Sequence, residues 1–140
     1  MLNFKTLTTG LALAATLGVA AEARDLRLAP AAPPAHPANG VMYTNFAKYL
    51  PEESDGRLTG TIIGPEVVSL GQMKDALQSQ IAEVGNLLPL YFPADFPNMA
   101  LTGELSLMGT NSQATAAAVT EYMVFCEECQ KEMRDFGIVF

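Results

Sequence analysis

Two proline-rich runs, Pro30 to Pro37 and Pro89 to Pro97, constrain this chain more than any other feature, because neither can be a helix interior or a central strand. They divide the rest into segments with their own periodicity. Leu26-Arg27-Leu28-Ala29 alternates apolar and polar ahead of the first run, which predicts strand one followed by a rigid loop. Between the runs, Met42, Phe46, Tyr49 and Leu50 recur at helical spacing as far as Pro51, and Ser54-Asp55-Gly56 supplies a turn. Leu58 to Ile63 reads as strand two, ended by Gly64-Pro65. Ser69 and Gln72 form a capping box for a second helix with Leu70, Met73 and Leu77 on one face. Ala82 to Leu88 is a short apolar run and reads as strand three.

The second run contains Tyr91, Phe92 and Phe96, unusually aromatic for a solvated loop. After a weaker stretch from Leu101 to Met108, Ser112 caps a long predicted helix with Ala118, Tyr122, Phe125, Cys129 and Met133 along one stripe. Lys131 and Arg134 suit the negative end of its dipole, and Gly137 ends it. Ile138-Val139-Phe140 then begins a further strand, so the chain reads as part of a longer one. Alternating strands and helices predict an α/β fold, mostly parallel, with right-handed crossovers and helices on both faces.

Ahead of these elements, Lys5 is followed by an apolar stretch from Leu11 to Ala21 and then small residues, the pattern of a removable export signal. Cleavage after Ala21 or after Ala23 satisfies the small-residue rule, and the division adopted is 1–23 as signal peptide and 24–140 as one domain. The stretch is shorter than the roughly 20 apolar residues of a spanning helix. The remaining length of about 115 residues suffices for one small core. A formal net charge of -7 disfavours nucleic acid as a partner, since phosphates would be repelled.

Templates for catalysis find little. There is no glycine-rich phosphate loop and no Gly-x-Ser-x-Gly elbow, and the single histidine, His36, lies in a proline-rich loop without a triad partner. Cys126-Glu127-Glu128-Cys129 is a CxxC pair, but a reactive thiol sits at a helix start, where the dipole lowers its pKa. Here the pair falls near the end of the long predicted helix, with two glutamates that disfavour a thiolate. The expectation is buried side chains or a structural disulfide between adjacent turns, with no catalytic residue, no metal site and no cofactor. In open α/β sheets ligands bind beyond the carboxyl ends of the strands. The loops there hold His36, Glu66, Tyr91 and Phe92, the candidate ligand-binding residues.

The order of Leu26-Arg27-Leu28-Ala29, the run through His36-Pro37, Asp55-Gly56-Arg57-Leu58, Ser69-Leu70 and Asp75-Ala76-Leu77-Gln78-Ser79 resembles the extracytoplasmic solute receptors of TRAP transporters, the DctP family. The resemblance implies a periplasmic binding protein-like (type II) first lobe, truncated within a two-lobed receptor. It further implies capture of a small organic acid such as a C4-dicarboxylate, delivery to TRAP permease membrane subunits, a periplasmic location and no enzymatic activity. Pro30 departs from the polar residue usual after strand one in that family. Two alternatives stand beside it: an exported thiol oxidoreductase using Cys126 and Cys129, and a small exported interaction module using the aromatic loop from Tyr91 to Phe96.

Overall fold

A computed structural model describes residues 23–139, and the expected export signal therefore lies outside the described residues except for Ala23. The central element is β1 (Arg24–Ala29), which pairs in parallel with β2 (Leu58–Ile62) on one side and β3 (Val84–Gly85) on the other. Leu28 lies opposite both Ile62 and Val84, so the strand order is β2-β1-β3. A parallel sheet needs cover on both faces, because its connections cross over it.

The cover comes from two helices whose faces the pleat separates. α1 (Thr44–Glu53) follows a π-helical turn, Ala38–Tyr43, and lies over the face that carries Leu28 and Gly60. A Cβ at Gly60 would come within 2.7 Å of Leu28 Cδ1 and 3.5 Å of Ala47 Cα, so strand and helix meet there without a spacer. α2 (Met73–Gln78) covers the opposite face, where any side chain at Gly85 would strike Met73 Sδ. Ala29, Val68, Met73, Ala76 and Ala82 form the core on that side. The predicted capping box holds α2's leading turn, with Gln72 Oε1 accepting from Ser69 N at 3.3 Å.

Downstream of the sheet the chain is helical. α3 (Pro97–Ser106), α4 (Ser112–Phe125) and α5 (Glu127–Asp135) follow the second proline-rich run, itself holding a short 3-10 turn at Pro89–Tyr91. A second core joins Phe96 and Met99 to Cys129, Met133 and Ile138. Phe96 stacks edge-on against Phe92 and Phe136, with ring centres 6.2 and 5.2 Å apart. Edge-on geometry sets the positive ring edge against the negative face.

Several expectations need correction. Strand three is two residues long, because Asn86 N donates to Ala29 O at the end of β1 and the chain then leaves the sheet. Leu101 to Met108 contributes to a helix rather than to an undefined stretch, started by Pro97 at its first turn. α1 runs two residues past Pro51, whose fixed φ is helical and whose missing N–H frees only one carbonyl in the last turn. Ile138 and Val139 form no strand; Ile138 folds back onto the second core, its N–H donating to Met133 O at 2.9 Å, and Phe140 lies outside the described residues. The long helix is two helices, and the break falls at Cys126.

Candidate functional site

Cys126 has φ -78° and ψ 99°, an extended conformation that no helix interior accepts. Its N–H still donates to Tyr122 O at 2.8 Å and closes α4, while its carbonyl accepts from Gln130 N at 3.0 Å and opens α5. One residue is thus the last cap of one helix and the first cap of the next. Asn111, not the predicted Ser112, caps the other end of α4, its side-chain oxygen accepting from Gln113 N and Ala114 N.

The side chain of Cys126 takes the position an N-cap hydroxyl would occupy, with Sγ accepting from Cys129 N at 3.0 Å. Cys126 and Cys129 are joined by a disulfide, with Cα atoms 5.2 Å apart. The two sulfurs differ in access. Cys129 is fully buried against Phe96, Met99 and Met133, whereas Cys126 is half-buried at the boundary between the helices. An attacking sulfur therefore reaches Cys126 and releases Cys129.

Charge around the pair pulls in two directions. The start of α5 presents free N–H groups and partial positive charge, which favours a thiolate at Cys126. Glu127 and Glu128 in the first turn favour the helix but oppose a second negative charge beside them. Below the pair, Lys74 ties the aromatic shell together: its Nζ lies 2.6 Å from Asp95 Oδ2 and 4.9 Å from the centre of the Phe136 ring.

The expectation that the pair sits near the end of a long helix is corrected by this break, and with it the flat assignment of no enzymatic chemistry. The local signal was the acidic doublet directly after a cysteine, the pattern of a first helical turn behind an N-cap. It was outweighed by an unbroken stripe from Ala118 to Met133 with no proline or glycine to interrupt it.

The four loop residues expected to bind ligand are placed apart from this centre, with one exception. His36 is exposed, and its Nδ1 accepts from Ala38 N at 3.1 Å within its own turn. Glu66 is exposed after β2, its carboxylate folded over Gly64. Tyr91 is exposed, while Phe92 turns inward onto the shell of the second core. Among the described residues, hollows open between the sheet and α5 and between α3 and α4, and none of the four lines either. One, of about 670 Å³, lies between the sheet and the end of α5 and is lined by Leu26, Tyr43, Glu83, Asn86 and Ile138 among others. The other, of about 360 Å³, runs between α3 and α4.

No known protein family, curated protein or solved structure matches this chain. The expectation of a dicarboxylate receptor serving a TRAP transporter is accordingly corrected: what the fold assembles is a half-buried CxxC disulfide at a helix start. Among the described residues no three His, Cys, Asp or Glu side chains converge as metal ligands, and no helix is long and apolar enough to cross a membrane.

Proposed function

We propose that this chain is an exported thiol–disulfide exchange module acting through Cys126 and Cys129. The observation that carries the reading is the position of Cys126 as N-cap of α5, with its sulfur held by the Cys129 N–H and its bonded partner buried. The export-signal pattern supports it, because disulfides persist outside the reducing cytoplasm. For the frame we propose a lobe of the type II receptor kind, a reading supported by the parallel β2-β1-β3 order and by the sequence resemblance.

The exchange balances without a further reagent when the substrate is a dithiol. One substrate thiolate attacks Cys126 Sγ, the Cys126–Cys129 bond breaks, and Cys129 leaves with the electron pair and takes up a proton. The second substrate thiol, losing its proton, attacks the substrate sulfur of the mixed disulfide. Cys126 departs as a thiolate beside the Cys129 N–H. The substrate ends as a disulfide, and the pair holds two electrons and one proton, on Cys129, until the Cys126 thiolate takes up a second proton from water.

The test is direct reduction of the folded chain by dithiothreitol, followed by alkylation and mass spectrometry, with insulin reduction as the activity readout. Reduction of the pair under native conditions, read as labelling of both cysteines once the quenched chain is unfolded, and insulin reduction lost in Cys126→Ser, is the expected result. A pair that resists dithiothreitol until the chain is unfolded would overturn the proposal.

A further inference from the structure

The hollow between α3 and α4 reaches Tyr122, one helical turn before Cys126. Tyr122 lines it, and the Tyr122 carbonyl is the group that accepts from Cys126 N. Leu105 and Met108 form one wall, Ala118, Val119 and Tyr122 the other, and no charged residue lines it. Leu105 is 54% exposed, Met108 80% and Phe125, next to Cys126, 77%. α4 buries none of its residues, although it is among the most apolar elements of the chain. Exposed apolar surface of this extent marks a binding face rather than a random scatter.

Resting on the exchange activity proposed above, we infer that this groove selects the substrate: an extended polypeptide segment carrying apolar side chains and positive charge next to its cysteine. The apolar part follows from the lining. A volume of about 360 Å³ in an open channel takes one or two large side chains of a chain lying along it rather than enclosing a whole small molecule. The positive part follows from the rim at the reactive end, where Glu127 and Glu128 are exposed beside the disulfide and Glu121 is exposed one residue before Tyr122. Such a rim attracts a lysine- or arginine-bearing chain and repels an anionic thiol. Thiol–disulfide exchange at Cys126 has no side-chain preference of its own, so discrimination falls to the surface that leads to it.

The experiment is single-turnover reduction of the oxidised full-length chain by three dithiol probes: dithiothreitol, a two-cysteine peptide with Leu, Phe and Lys between its cysteines, and the same peptide with Ser and Glu in their place, the two peptides being matched in thiol pKa. The apolar cationic peptide is expected to react about tenfold faster than its polar anionic counterpart. In Val119→Lys, which both fills the apolar lining and repels the cationic peptide, the ratio of its rate to that of dithiothreitol should fall by a similar factor. Thr115→Lys, at the far end of the groove, provides a second variant should Val119→Lys fail to fold by circular dichroism. Equal rates for the two peptides on the wild-type chain would overturn the groove while leaving exchange intact. Failure of dithiothreitol itself to react would overturn the exchange reading, and the groove's role with it.

Discussion

Glu132 on α5 accepts from both nitrogens of Asn98, the backbone N–H at 2.9 Å and the side-chain amide at 2.6 Å, and so fastens the disulfide-bearing helix to the first turn of α3. Its other oxygen accepts from Met99 N at 3.2 Å. One carboxylate from a neighbouring helix therefore satisfies two of the donors that α3 leaves free at its start.

Glu132→Ala removes this cap and should lower stability by about 1–2 kcal/mol, the range for losing an N-cap. Glu132→Gln keeps one acceptor oxygen and should recover part of the loss. Urea unfolding followed by circular dichroism measures both; equal stabilities for wild type and Glu132→Ala would show that the cap contributes nothing.

Reduction of the Cys126–Cys129 bond opens a very small loop, so the expected destabilisation is modest, about 2 kcal/mol in the chain-entropy account. Cys129→Ser should cost more than Cys126→Ser, since it places a hydroxyl among Phe96, Met99 and Met133 without a partner. Paired denaturation curves of the two variants, both lacking the bond, isolate that difference.

Replacing Glu127 and Glu128 together by Gln removes two negative charges from beside Cys126. The thiol of the reduced form should then lose its proton more readily, because two negative charges no longer oppose the thiolate. The reduced state then gains stability and the pair becomes more oxidising. Iodoacetamide labelling of Cys126 as a function of pH reads the shift, and an unchanged profile would mean the glutamates do not act on the sulfur.

The Arg27 guanidinium lies 2.7 Å from a Glu83 oxygen and draws the Glu83 carboxyl down to about 2, well below its ordinary range. A carboxyl with a depressed folded pKa binds its proton more tightly when unfolded. Its stabilising effect is complete above its ordinary value of 4.5 and is lost as pH falls toward 2. The urea midpoint should drop across that window, and in Glu83→Gln the drop should be shallower.

Burial pushes the Tyr43 phenol up to about 12 from 10. Its ionisation is easier in the unfolded chain, so stability should decline as pH rises from 10 toward 12. Tyr43→Phe should be more resistant to alkaline unfolding than the wild type, as thermal melts at pH 11 would register.

The sheet was legible because its signals are local. Leu26 to Ala29 alternates, and Leu58 to Ile62 follows a turn marked by Asp55 and Gly56. The capping box of Ser69 and Gln72 was legible for the same reason, its partners being three residues apart. Strand three was overextended because Ala82, Val84, Leu87 and Leu88 outweighed Glu83 and Asn86 in the run, and apolar residues in a short run serve loop, helix and strand cores alike. The aromatic loop divided between two roles that sequence alone cannot separate: Phe92 and Phe96 turned inward while Tyr91 stayed out.

Sequence by itself determined the α/β alternation, the parallel pairing and the helical character of the region beyond Ser112, because periodicity, proline and short-range caps act over a few residues. Only tertiary structure decided that Cys126 ends one helix and begins another. The stripe from Ala118 to Met133 is compatible with a continuous helix. It is the docking of Cys129 and Met133 onto Phe96 and Met99, with Glu132 fixed to Asn98, that sets α5 apart from α4. Those contacts join residues 30 or more positions apart, and burial across such a separation leaves no mark in local periodicity. The chemistry read for this chain depends on that one bend.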